Sequence, residues 1–180
     1  IFISTVDVYE KNLRYVKDEY TPISTKRYGG RNGDYIYKKI CLEKELAEEC
    51  DRIGIDHAII RPSIIYGPND YSRRAEIFIK MASYGIPIRY PKDAKANFQM
   101  VYVKDVVEAI LKTCEVTTSY EYNVCSNEII CYKDFVETLS KVSEVSVILE
   151  PISTEEAIKQ SINYEVITTG EILKELSKGK

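Results

Sequence analysis

Short apolar runs alternate with longer amphipathic stretches along most of this 180-residue chain, and that alternation restricts its fold more than any other feature. Ile1 to Ile3 read as the end of a buried strand, with Ser4 and Thr5 directly after it. From about Tyr35 to Arg52 the pattern is helical: Ile40, Leu42, Leu46 and Ala47 recur among Glu and Lys, and Gly54 is a natural stop. Ala58-Ile59-Ile60 forms the next apolar run, ended by Arg61-Pro62. Strands that alternate with helices in this way predict an α/β fold with a parallel sheet. In open sheets of that kind, ligands sit beyond the carboxyl ends of the strands. Ser4-Thr5 and Arg61-Pro62-Ser63 both occupy such ends, and the helix between them carries Tyr35 and Lys39.

The intervening and later segments follow the same logic. Asp7, Tyr9, Glu10 and Asn12 begin a polar loop, and Glu19 to Asp34, with Pro22, Gly29, Gly30 and Gly33, reads as a long loop. Tyr66 to Asp70 is a turn, Ser72 to Tyr84 a helix closed by Gly85, and Pro87 to Tyr90 a short strand. Val101-Tyr102-Val103 is a strand, followed by a helix to about Cys114 with Asp105 as its cap. Tyr122 to Val124 and Val145 to Leu149 read as strands, and Tyr132 to Ser143 as an amphipathic helix with Phe135, Val136, Leu139 and Val142 apolar. Two further helical segments are expected at about Thr154 to Ile162 and Thr169 to Ser177.

Composition narrows the function classes. At 44% hydrophobic and 29% charged residues, the balance is that of a soluble globular protein. A net charge of −3 supplies no attraction to nucleic acid or to an anionic membrane. No apolar run reaches the length of a membrane span, and no signal peptide is visible. Cys41, Cys50, Cys114, Cys125 and Cys131 are scattered and lack a C-x-x-C pair, which predicts reduced, mostly buried thiols in a cytoplasmic protein. The lone histidine, His57, enters an apolar strand, so a structural role is expected of it and a histidine-based metal site is not. The chain opens Ile-Phe-Ile-Ser-Thr without Met, inside the first strand, and is expected to be a piece of a longer protein.

Tyr35 and Lys39 are four apart, so on a helix they lie one above the other. A free phenol has a pKa near ~10 and is a poor acid or base at neutral pH. A neighbouring ammonium favours phenolate and lowers that pKa, which lets a tyrosine exchange a proton with a substrate alcohol or carbonyl. In a chain rich in Tyr and Lys, the same spacing also arises on a solvated face with no chemistry attached.

Five blocks, taken in order, resemble the extended short-chain dehydrogenase/reductases, the NAD-dependent epimerase/dehydratase group. They are Ile3-Ser4-Thr5-Val6-Asp7-Val8-Tyr9, the Tyr35/Lys39 pair with Glu43 and Glu45-Leu46 behind it, Ile60-Arg61-Pro62-Ser63-Ile64-Ile65-Tyr66-Gly67-Pro68, Val101-Tyr102-Val103-Lys104-Asp105-Val106, and Tyr122-Asn123-Val124. Together they cover roughly Ile1 to Ser143. The resemblance implies the C-terminal part of a Rossmann-type doubly wound parallel sheet plus a small α/β substrate-binding lobe. Residues 1–62 would belong to the Rossmann part, residues 63–180 mainly to the lobe, and about 101–125 would return to the Rossmann part.

The resemblance also implies roles. Tyr35 would be the general acid/base, and Lys39 would bind the nicotinamide ribose and lower the phenol pKa. Thr5, in preference to Ser4 by register, would hydrogen-bond the reacting oxygen. Asp7 stands where some dehydratases carry a second base, although an Asp that opens a loop and accepts backbone hydrogen bonds is the plain alternative. Tyr35, Lys39, Pro62 and Ser4 would contact NAD or NADP. The substrate would be a small molecule, a sugar or nucleotide sugar, and a homodimer is the family expectation. Arg61 reads as a structural hydrogen-bond donor.

The pattern also departs from the family. No G-x-x-G-x-x-G or G-x-G-x-x-G occurs, the fingerprint by which backbone N–H groups reach a pyrophosphate. Three βα units of roughly 30 residues each, about 100 residues in all, would be expected ahead of Ile1. These residues alone would then bind cofactor weakly. Nucleotide-sugar members carry an Asn where this chain has Ile64 and an Arg just before the V-x-V-x-D block, where it has Phe98-Gln99-Met100; both contact the diphosphate, which leaves Arg73, Arg74 and Lys95 as other sources of positive charge. The competing reading is a non-catalytic, dinucleotide-responsive regulator or scaffold, RNA-binding in some relatives; an intact Thr5, Tyr35 and Lys39 favours the enzyme.

Overall fold

The computed structural model describes residues 1–10, 18–93, 97–143, 146–157 and 159. The chain divides into two compact units: Ile1–Gly67 with Gln99–Asn127, and Pro68–Phe98 with Glu128–Lys180.

The first unit is built on a parallel sheet of three strands. Strand β1 is Phe2–Ile3, β2 is Ala58–Pro62, and β7 is Tyr120–Val124, with β2 in the middle. Phe2 pairs with Ile59, and Ala58 to Pro62 pair in register with Tyr120 to Val124. The middle strand is buried along its whole length, as the central strand of a parallel sheet covered on both faces must be. A 3-10 turn, Val6–Val8, follows β1, and helix α1, Gly30–Ile53, crosses over to β2. A second parallel pair, β3 (Ile64–Tyr66) with β6 (Met100–Tyr102), leads into helix α3, Val103–Thr113. Val8, Tyr9, Ile36, Ile59, Ile60, Val101 and Val106 are among the buried side chains of this unit.

The second unit contains helix α2 (Arg74–Ser83), strands β4 (Ile88–Pro91), β5 (Asn97–Phe98) and β8 (Ile130–Cys131), helix α4 (Tyr132–Ser143) and strand β9 (Leu149–Ile152). β4 pairs with β9 in parallel, and β5 with β8 antiparallel. Met81, Ile88 and Val136 form its core, with Phe78, Tyr132, Phe135 and Leu149 packed against them.

Several elements differ from the sequence expectation. α1 begins at Gly30, five residues before Tyr35, and its first turn packs closely on the Tyr28 backbone. A Cβ at Gly33 would lie 2.1 Å from the Tyr28 carbonyl oxygen, so only glycine admits that approach. The helix ends, as its sequence indicates, at Gly54 in the left-handed conformation (φ 70°). Ile64–Tyr66 is a strand, where a turn at Tyr66 was expected, because its backbone pairs with Met100–Tyr102. Asp105 lies in the first turn of α3 but caps nothing; Tyr102 is the cap residue, without a side-chain bond. The last strand is shifted to Leu149–Ile152, in register with β4, and Val145 lies outside the described residues. Residues 154–157 and 159 are helical, while the expected Thr169 to Ser177 helix lies outside the described residues. The cysteines are unpaired, but Cys114 and Cys125 are exposed and Cys41, Cys50 and Cys131 only partly buried, which corrects the expectation of mostly buried thiols. Among the described residues, no helix is long and apolar enough to cross a membrane.

Candidate active site

The stripe of α1 that faces the sheet contains Ile36, Lys39, Ile40 and Glu43, spaced three and four apart. Ile36 and Glu43 are buried, whereas Tyr35, on the margin of the stripe, is half exposed. Lys39 reaches the carboxyl end of β1: its Nζ donates to the Ile3 carbonyl oxygen at 2.7 Å. The same ammonium lies 4.8 Å from the centroid of the Phe2 ring and 5.7 Å from that of Tyr35. The sequence pair is therefore a spatial one, attached to the residue just before Ser4-Thr5. An ammonium has three N–H donors, and the Ile3 carbonyl occupies one.

Thr5 and Asp7 form a second local cluster. Thr5 caps the 3-10 turn: its Oγ1 accepts from the Asp7 N–H at 3.2 Å and donates to Asp7 Oδ2 at a long 3.4 Å. Asp7 itself is exposed. Its carboxylate accepts from the threonine hydroxyl and not from a backbone N–H, so the expected loop-opening role is here played by Thr5. Ser4 is buried; its N–H donates to the Ile60 carbonyl oxygen at 2.7 Å, while its Oγ has no partner. Pro62 is the last residue of β2, paired with Val124, and its place beside the end of β1 follows from the strand pairing.

Beneath this edge lies a polar network that the sequence reading only partly anticipated. Arg61 is buried and forms a two-pronged ion pair with Glu43, Nε to Oε1 at 3.1 Å and Nη2 to Oε2 at 2.8 Å. Its remaining Nη1 donates to the Tyr9 hydroxyl at 3.0 Å, and that hydroxyl donates to Asn123 Oδ1 at 2.8 Å. The Asn123 N–H in turn donates to Glu19 Oε1 at 2.7 Å. Burial pushes the Tyr9 phenol above its ordinary pKa, against the opposing pull of Arg61. Burial also works against the Arg61 charge, but the Glu43 and Tyr9 bonds outweigh it and hold the guanidinium above its usual value. Arg61 is thus the structural donor expected of it. Tyr9, assigned to a polar loop, is instead fully buried. Glu43, read only as a helix residue, is the counter-charge; its position four after Lys39, in the buried stripe, was the available signal.

The model of the NAD dependent epimerase/dehydratase family matches residues 1–125. UDP-glucose 4-epimerase of Vibrio cholerae is 24% identical over 131 residues, covering 72% of this chain and 38% of that protein. UDP-glucose 4-epimerase of Thermus thermophilus, solved in complex with NAD, is similar in structure with a TM-score of 0.68 at 20% identity, over 84% of this chain and 50% of that one. UDP-N-acetylglucosamine 4-epimerase of Methanobrevibacter ruminantium, in complex with UDP-N-acetylmuramic acid, gives 0.71 at 19%, over 84% and 49%. The chain spans half or less of the length of these relatives, and at such identities the solved structures establish the shared α/β fold.

Proposed function

The chain belongs to the NAD dependent epimerase/dehydratase family, and from that premise we propose that it carries the proton-transfer centre of an epimerase-type enzyme acting on a nucleotide sugar. The observation that carries the reading is the placement of Lys39, whose ammonium joins the carboxyl end of β1 to the Tyr35 ring. An ammonium beside a tyrosine is the arrangement with which a phenol exchanges a proton with a substrate oxygen. Tyr35, half exposed at the open edge of the sheet, would take the proton from a sugar hydroxyl and return it to the resulting carbonyl. The Thr5 hydroxyl, which donates only a long bond to the Asp7 carboxylate, would turn its proton to the reacting oxygen while the Asp7 N–H holds its oxygen in place.

The residues at this edge fit the nicotinamide end of a dinucleotide. Lys39 has further N–H donors for ribose hydroxyls, the Ser4 hydroxyl is buried without a partner, and Pro62 ends β2 next to the carboxyl end of β1. NAD, when bound there, would accept and return the hydride of the oxidised carbon. NAD is favoured over NADP by the Thermus thermophilus enzyme, solved with NAD. The UDP-sugar substrates named for the relatives favour a nucleotide sugar, although Phe98 packs its ring 6.1 Å from Phe135 and is no phosphate ligand.

Tyr35→Phe in the full-length protein tests the reading. Conversion of UDP-glucose and UDP-N-acetylglucosamine, followed by NMR, should fall by about 10²- to 10⁴-fold with the fold intact. Activity near that of the wild type would overturn the mechanism. The 180 residues contain no glycine-rich pyrophosphate loop, so the isolated chain should bind NAD weakly; tight, saturable binding by calorimetry would refute that.

A further inference from the structure

Three groups are set around the Lys39 ammonium, and only two of them have a role so far. The Ile3 carbonyl oxygen accepts one N–H at 2.7 Å, and the centroid of the Tyr35 ring lies 5.7 Å away. The third is the Phe2 ring, the nearer of the two at 4.8 Å, with the ammonium over its face. The face of an aromatic ring is its negative side, and a cation within about 6 Å of the centroid is attracted to it. Successive side chains of a strand point to opposite faces of a sheet, so only one of the two residues of β1 can face α1. The contact with Lys39, on the stripe of α1 that faces the sheet, makes that residue Phe2.

The chemistry of that side chain matters. A lysine carries a compact charge on a flexible stem, and a single carbonyl contact restrains its tip without fixing its direction. A carboxylate or amide at position 2 would accept further N–H groups and draw the ammonium off the Ile3 carbonyl. An aliphatic side chain would leave that flank of the charge against hydrocarbon, without compensation. A ring attracts the charge yet takes no strong hydrogen bond, so the N–H groups that Ile3 does not use stay available. Phe2 is partly buried, which strengthens the attraction relative to a contact in open water.

We infer that Phe2 is a positioning residue, whose ring holds the Lys39 ammonium at the carboxyl end of β1, on the side of Tyr35. It acts through Lys39. The service of that placement to proton transfer rests on the proposed function, whereas the hold of the ring on the ammonium does not.

Two measurements on the full-length protein test it. In the first, Phe2 is replaced by mono-, di- and trifluorophenylalanine, which keep the shape of the ring and weaken its negative face in steps. Turnover of UDP-glucose or UDP-N-acetylglucosamine should fall in the same steps, reaching about three- to tenfold at trifluorophenylalanine, with KM for the sugar level. Level turnover across the series would overturn the inference, since a ring that only fills space is indifferent to its fluorines. The second measurement needs no activity: urea unfolding of the wild type, Phe2→Leu, Lys39→Met and the double variant. Phe2→Leu should shift the folding equilibrium toward the unfolded state about two- to fivefold more where Lys39 is present than in the Lys39→Met background. Absence of that coupling would end the inference whatever the kinetics. If the wild type converts neither sugar, the proposed function fails, and the coupling alone decides whether Phe2 holds Lys39.

Discussion

Two polar clusters lie along one helix of the first unit, and they differ in how completely the protein satisfies them. Glu43, Arg61 and Tyr9 are 5%, 4% and 0% exposed, and the guanidinium and the phenol are bonded within the network. One turn and two turns earlier on α1, Lys39 and Tyr35 stand at the open edge, with Tyr35 50% exposed and Lys39 bonded to a backbone carbonyl. A closed network of charges specifies how α1 docks on β2, since its two-pronged geometry tolerates little rotation or slip. An open cluster keeps donors for something else. The buried cluster should therefore govern folding, and the open one should govern chemistry.

The largest separation is expected at Arg61. Arg61→Ala leaves the Glu43 carboxylate buried without its partner, which typically costs about 3–5 kcal/mol. Chemical denaturation would read this as a lower midpoint at constant slope. The double variant Glu43→Leu with Arg61→Met should recover most of the loss, because a buried ion pair can be replaced by apolar side chains of similar volume at little cost. If Arg61→Ala is as stable as the wild type, the network does not hold the helix. If the double variant is no better than the single, the cost came from packing and not from an orphaned charge.

Lys39→Met should show the reverse profile. It keeps the aliphatic stem beside Phe2 and removes the charge that faces Ile3 and Tyr35. Loss of one charge-assisted contact predicts a fall in turnover of about 10- to 100-fold, with stability within about 1 kcal/mol of the wild type. Steady-state kinetics of the full-length protein and thermal unfolding, run together, decide it. A stability loss as large as that of Arg61→Ala would erase the distinction between the two clusters.

That distinction also explains what could be read in advance. The parallel α/β alternation and the bounds of α4 at Tyr132–Ser143 follow from local periodicity, which needs no knowledge of partners. The Tyr35/Lys39 pair follows from helical spacing, and the structure brings the two together. Tyr9 was not legible, and Glu43 only through its place in the α1 stripe, because a polar residue in a buried position looks like any other polar residue until its partner is found. Their partner, Arg61, is 52 and 18 residues away in sequence. The start of α1 was missed for a related reason: Gly30 and Gly33 argue for a loop by propensity, and only the approach of the Tyr28 carbonyl makes glycine a requirement at Gly33. Tertiary context overrides propensity at such points.

The smallest effect tests the buried side of the comparison by pH. Tyr9→Phe removes the hydroxyl that accepts from Arg61 and donates to Asn123, leaving both short of a partner, which predicts a loss of about 1–3 kcal/mol near neutral pH. The direction of its alkaline dependence follows from burial, which holds the folded phenol above the ordinary value of 10.0. A group with a raised folded pKa contributes stability that is fully present below its unfolded pKa and is lost as pH rises through the folded one. Above about pH 10 the unfolded chain ionises Tyr9 while the folded chain resists, so the wild type loses stability that the phenylalanine variant never had. The gap between wild type and Tyr9→Phe should therefore be widest near neutrality and narrow above about pH 10, measured by urea unfolding at stepped pH. A gap that widens with pH would mean that the phenolate is favoured in the folded protein. Arg61 would then be acting as its counter-ion, and the pairing of Arg61 with Glu43 would not be the dominant contact of the network.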